Sequence, residues 1–160
     1  MNLIIGSHVS FNKNSQLLGS VKEALSYGAN AFMFYTGAPQ NTTRTSIDNN
    51  LTKEAFELMK ESNIDIKNVI VHAPYIINLA NKQNMSFGID FMKEEIKRTE
   101  TLGISMIIIH PGSHVGLGKE AGLENIVLSL NKIITPEQKV TILLETMAGK
   151  GSELGSSFEE

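Results

Sequence analysis

SMIIIHPGSH, residues 105–114, is the stretch that decides the fold. Its core, Ser105–Ile109, is apolar, β-branched and five residues long, the profile of a strand buried in a parallel sheet. Pro111 and Gly112 end it just after His110. Working outward, similar runs occur at Leu3–Gly6 (LIIG), Ala31–Tyr35 (AFMFY), Asn68–Val71 (NVIV) and Val140–Leu144 (VTILL). Stretches of helical period lie between them. Leu17, Leu18, Val21, Ala24 and Leu25 form one apolar stripe, with Gly28 placed as a left-handed cap. Phe56 and Met59, with Ala55, mark a shorter helix. Ile89, Met92, Ile96 and Thr99 repeat up to Leu102-Gly103, and Leu123, Ile126, Val127 and Leu130 repeat before Thr135-Pro136. Gly155–Glu160 reads as the opening of a fifth helix. Strands alternating with helices predict parallel βα units with right-handed crossovers. The expectation is an α/β chain of five strands and four complete helices, with residues 1–160 in a single domain.

Composition narrows the function classes. The chain has 160 residues, 41% apolar and 19% charged, an ordinary globular balance. With no cysteine, disulfides and thiolate metal sites are excluded. No run approaches the ~18 apolar residues of a membrane span, and MNLIIGSHVS lacks the cationic region of a signal peptide. A cytoplasmic address is the expectation. The formal charge of −3, without a Lys/Arg-rich run, offers no basic patch for nucleic acid. Any DNA reading must come from particular residues.

Those residues sit at the strand ends. His8, His72, His110 and His114 all fall at or just beyond the C-terminal end of an apolar run, as does Glu145. Functional groups of βα folds gather on this rim. Side chains alternate along a strand, so Ile70 shares a face with His72, Ile108 with His110 and Leu143 with Glu145. If those faces point inward, two imidazoles and a carboxylate converge, and two nitrogens with one oxygen suit a catalytic zinc. The competing reading, rim histidines satisfied by local hydrogen bonds, stays open on spacing alone. His8 and His114 read as rim partners as readily as ligands. The glycine-rich segments PGSHVGLG (111–118) and MAGKGS (147–152) do not match a P-loop, so they read as loops needing positive φ.

Five blocks carry a resemblance: GSHVS from Gly6, FMFYTGAPQNT from Phe32, VHAPYIINLAN from Val71, IIIHPGSHVG from Ile107 and LLETMAGKGSELG from Leu143. In order and spacing the chain resembles the N-terminal portion of bacterial endonuclease IV. The resemblance implies a TIM-type barrel, of which about five of eight strands are present, and three zinc ions at its mouth. It implies a deoxyribonuclease that cleaves 5′ of abasic sites in double-stranded DNA, leaves a 3′ hydroxyl for base excision repair, and trims blocked 3′ ends. His72 and His110 match the histidines of the first zinc. Glu145 matches the carboxylate bridging the first and second. Tyr75 and Ile76 match residues wedged in at the lesion, and Gln40 matches a position that penetrates the base stack, where some members carry Arg. The family's later ligands, several Asp, His and Glu, have no counterpart after Glu145, where the acids are Glu153, Glu159 and Glu160.

A complete barrel of this type takes about 250 residues. The chain is therefore expected to hold at most one well-formed zinc site, to show little endonuclease activity alone, and to self-associate or require a missing C-terminal half. Two rivals stand beside this reading. One is a sugar isomerase or epimerase on a xylose-isomerase-like barrel. The other is a non-catalytic fragment, for which His72→Ala or Glu145→Gln changes nothing.

Overall fold

A computed structural model describes residues 3–160. In chain order the elements are β1 (Gly6–His8), α1 (Gln16–Ser26), β2 (Ala31–Phe34), α2 (Asn49–Glu61), β3 (Val69–His72), α3 (Met85–Thr101), β4 (Met106–Ile109), β5 (Gly112–Ser113), α4 (Lys119–Ile133), β6 (Thr141–Leu144) and β7 (Glu153–Leu154). Strands β1, β2, β3, β4 and β6 lie side by side in that order, and every neighbouring pair is parallel. This is the five-strand βα sheet expected of a partial TIM barrel. Among the described residues it does not close on itself, and β1 and β6 are its edges.

Alternation divides the sheet into two faces. Phe34 pairs with Val71, Val71 with Ile107 and Ile107 with Ile142, so these side chains share one row. Phe34, Val71 and Ile107 are fully buried, in one core with Leu17 and Val21 of α1, Met59 of α2 and Met92 of α3. Burial of each such side chain stabilises by about 1.5–3 kcal/mol. Met33 and Ile70 pair on the opposite face, as do Ile108 and Leu143. That face is only partly covered, and it is the face His72 shares.

Helix ends follow the local chemistry. Gly28 takes φ +70°, and the Gly28 and Ala29 N–H groups return to the carbonyls of Leu25 and Ala24, ending α1 at the predicted cap. Asp48 opens α2 by accepting from the N–H groups of Asn50 and Leu51. With this cap α2 reaches 13 residues, not the shorter helix its stripe suggests. Only Thr52, Ala55 and Met59 bury on it, and so few apolar positions understate its length.

Three expectations change. The first strand is Gly6–His8, not Leu3–Gly6. The ladder begins where Gly6 meets Ala31, an approach so close that a Cβ on Gly6 would lie 2.3 Å from the Ala31 carbonyl oxygen. Leu3, Ile4 and Ile5 precede the ladder and stay exposed, held through their backbone by the Asn30 side chain, which donates to Leu3 O and accepts from Ile5 N. Gly155–Glu160 form a bend and a turn instead of a helix, because the Glu160 carboxylate takes the N–H groups of Gly155 and Ser156. The two glycine-rich loops do adopt positive φ at several glycines, but the first also pairs with the residues just after the second: β5 and β7 form a two-stranded antiparallel ladder. Two residues are too few for a sequence pattern to register.

Candidate metal centre

Strand ends deliver the site. His72 is the last residue of β3, His110 follows β4, and Glu145 follows β6. The Glu145 N–H donates to Ile109 O at 3.0 Å, which carries the β4–β6 ladder one residue further and fixes where the carboxylate starts. The three side chains converge. His72 Nε2 lies 2.9 Å and His110 Nε2 3.1 Å from the same atom, Glu145 Oε2. One ligand atom from each residue falls within 4.8 Å of the other two. The rings of His72 and His110 meet edge-on, centroids 5.1 Å apart.

The other nitrogen of His72 sets its tautomer. Nδ1 lies 2.7 Å from Ala73 O, a carbonyl that can only accept, so Nδ1 carries a proton. In the neutral ring Nε2 then presents a lone pair to a carboxylate oxygen. Two acceptors at 2.9 Å repel unless a cation or a proton lies between them. Two imidazole nitrogens and a carboxylate oxygen around one point form a donor set suited to a divalent transition metal, and the Ala73 carbonyl is the outer partner such a histidine ordinarily has. The residues present fit a metal.

Burial grades across the centre. The His72 side chain is 5% exposed, that of His110 31% and that of Glu145 43%. Tyr35, just past β2, packs its ring on His72 at 5.1 Å, and His8 packs on Tyr35 at 4.7 Å. Burial, then the Glu145 charge, pushes the Tyr35 phenol above its ordinary value, and burial, then His72, lowers the His8 imidazole. His8 therefore stands in a row of rings beside the centre, outside the converging group. His114 stands apart as well, its Nδ1 accepting from Gly118 N at 3.3 Å within its own loop.

A second loop is built against the centre. Asn78 accepts from Ser113 N and Ala80 N and donates to Ser113 O, tying the segment after β3 to β5. Gly112 is required there: its φ is +133°, and a Cβ would meet Asn78 Oδ1 at 2.4 Å. Ile77 and Leu79 anchor that segment in the core, while Tyr75 stays 52% exposed at the turn before them, with Ile76 half-buried beside it. Tyr75, His110, Ser113, Met147 and Glu153 are among the residues lining a cleft of about 170 Å³ next to the centre. Gln40 is exposed on the long loop between β2 and α2.

The same loop exposes what sequence reading missed. Arg44, Glu95 and Arg98 form a buried charged cluster with Thr36. A signal existed: Glu95 sits three residues after Met92 and four before Thr99, within the apolar stripe of α3, where a charged side chain is forced inward.

Comparison with known proteins agrees with this fold. A model of the xylose isomerase-like TIM barrel family matches residues 21–160. The protein named "Probable endonuclease 4" of Geobacillus sp. (strain WCH70) is 52% identical over 161 aligned residues, covering 99% of this chain and 53% of its own length. The chain spans about half the length of the curated relatives it matches. Among solved structures, endonuclease IV from Thermus thermophilus superimposes with a TM-score of 0.75 at 23% identity, over 97% of this chain and 56% of that one. A D-tagatose 3-epimerase-like protein superimposes with a TM-score of 0.69 at 20% identity, over 97% and 58% respectively. At such identities the structures establish the fold alone. With the family match and the sequence likeness together, the chain belongs to the xylose isomerase-like TIM barrel family and, within it, to the endonuclease IV group.

Proposed function

We propose that these 160 residues carry the first half of the active site of a zinc-dependent DNA-repair phosphodiesterase, one that incises 5′ of abasic sites in double-stranded DNA. The observation that supports it is the meeting of His72 Nε2, His110 Nε2 and Glu145 Oε2 at one point on the C-terminal rim. The name of the Geobacillus relative points to the same chemistry.

In this reading His72, His110 and Glu145 would together hold a zinc ion. When bound, zinc supplies Lewis-acid stabilisation of charge on a phosphate and lowers the pKa of water. The chain's own residues do the rest. The Ala73 carbonyl keeps the His72 proton on Nδ1, so that Nε2 stays available. Tyr75 projects from a turn whose following residues are locked in the core, Ile76 lies half-buried beside it, and the pair meets the duplex where the damaged nucleotide is displaced. Gln40 contacts the base stack from the neighbouring loop. Among the described residues no second group of three His or carboxylate ligands converges. These 160 residues alone therefore hold about one zinc and incise poorly.

The epimerase reading shares the fold, as the D-tagatose 3-epimerase-like structure does. A small sugar is bound in a concave site that covers most of its surface, whereas Tyr75 stands half outside the protein. Zinc titration and an incision assay on an abasic duplex test the proposal. One zinc per chain is expected, lost in His72→Ala, together with tighter binding of abasic than of undamaged duplex. Absence of zinc binding, or equal affinity for the two duplexes, refutes it. Robust zinc-dependent incision by the 160-residue protein refutes the half-site claim.

A further inference from the structure

The loop between β2 and α2, residues 35–48, has no regular secondary structure, yet it is held by a fully buried charge. Glu95, on the inner face of α3, is completely buried. Its two carboxylate oxygens are divided between two partners from the loop: Oε2 accepts from Thr36 Oγ1 at 2.7 Å, and Oε1 accepts from Arg44 Nε. Arg44 turns that single anchor into a clasp. Its Nη1 reaches Ala38 O at 3.4 Å, Asn41 O at 3.1 Å and Thr43 O at 2.9 Å, three carbonyls on either side of Gln40. Its guanidinium lies over the Phe91 ring, 4.8 Å from the centroid. Arg98 adds a second tie, donating to Thr36 Oγ1, Thr36 O and Thr45 O.

Burying an ion pair is a poor way to gain stability. Desolvation offsets most of the attraction, and apolar residues of the same size commonly do as well or better. What such a pair does supply is a single conformation, because the planar guanidinium donates to Glu95 through Nε and to the loop carbonyls through Nη1 in fixed directions. The local sequence makes room for it. A Cβ on Gly37 would meet Arg44 Nη1 at 2.9 Å and Cδ at 3.0 Å, so a side chain there would push the guanidinium out of its present place. Long irregular loops in compact folds are commonly functional, and this one carries an exposed glutamine near its tip.

We propose that Glu95 and Arg44 are positioning residues for DNA recognition: their buried pair holds the β2–α2 loop in the one shape that presents Gln40 to the duplex. This rests on the reading of Gln40 as a DNA contact. The role is indirect, since the cluster is sealed from solvent and touches neither DNA nor the metal centre.

The test uses the full chain with zinc and two variants. Arg44→Lys keeps the charge beside Glu95 and loses the fork. Glu95→Gln removes the anchoring charge at nearly constant volume. Hydrogen exchange read by mass spectrometry should show residues 37–45 opening about tenfold or more faster in Arg44→Lys, with β3, β4 and zinc stoichiometry unchanged. Fluorescence anisotropy should show the preference for abasic over undamaged duplex falling by about tenfold, while affinity for undamaged duplex stays the same. A general structural defect would move both affinities and the whole exchange profile. Unchanged loop exchange in both variants overturns the clasp. A loosened loop with intact lesion preference overturns its role in recognition. If the parent chain shows a protected loop but no lesion preference in its zinc form, the functional reading fails and the positioning role falls with it, while the clasp itself stands.

Discussion

β4 and β6 are adjacent strands of nearly the same chemistry, MIII and TILL, yet they live in different surroundings. In β4, Ile107 and Ile109 are fully buried beneath the helices. In β6, Leu144 pairs directly with Ile109 and remains 50% exposed, because β6 is the edge of the sheet. A strand's composition states what it is suited to; its neighbours decide what it buries. The contrast passes straight to the centre. His72 comes from an inner strand and is locked on both sides, whereas Glu145 comes from an edge and keeps nearly half its side chain in solvent. The centre is rigid on its nitrogen side and loose on its oxygen side.

The largest test of that contrast is packing itself. Ile107→Ala should destabilise the chain by about 2–5 kcal/mol, as cavities in a sealed core do. Leu144→Ala should cost under ~1 kcal/mol, as at a surface site. Chemical denaturation measures both, and equal losses would erase the distinction. Next in size is the effect on the ligands. His72→Ala should weaken zinc binding by ~100-fold or more, because it removes both a ligand atom and the one with a fixed tautomer. Glu145→Gln should weaken it by only about tenfold, since an amide oxygen can still reach the site from the open edge. Competition with a chromophoric chelator reads both, and the reverse ranking would place the rigid side of the centre elsewhere.

The smallest effect concerns a surface tie that resembles neither strand. Glu160 accepts from Lys119 Nζ at 2.6 Å and from the Gly155 and Ser156 N–H groups. These contacts, the lysine foremost, hold its carboxyl down at about 2, against an ordinary value of 4.5. A depressed carboxyl contributes above its unfolded value and loses that contribution as pH falls through the folded one. The turn at Gly155–Glu160 should therefore stay ordered at pH 5 and open toward pH 2, with little change in global stability because Lys119 keeps most of its side chain in solvent. NMR of the Gly155 and Ser156 amides follows it, and Glu160→Gln should abolish the transition.

The alternation of strands with helices, the phase of His72, His110 and Glu145, and the Gly28 cap were legible because each follows from local periodicity or backbone geometry. Where reading failed, the missing information was spatial. Leu3–Ile5 has the chemistry of a strand, but its pairing partners begin three residues later, where Gly6 alone allows close contact with Ala31. The β5–β7 ladder joins segments about forty residues apart through two residues each, below any repeat a sequence displays. The Arg44–Glu95 clasp needs two distant segments folded together before its charges acquire meaning, although Glu95 in an apolar stripe was a visible anomaly.

The open side of β6 has one further consequence. Glu145 continues directly from a strand whose outer hydrogen-bonding groups have no partner strand among the described residues. Any strand that docks there would stiffen the backbone carrying the carboxylate and so tighten the grip on a cation. By reciprocity, a cation already gripped would favour that docking by the same factor. Edge pairing and ion capture thus become two readouts of a single equilibrium.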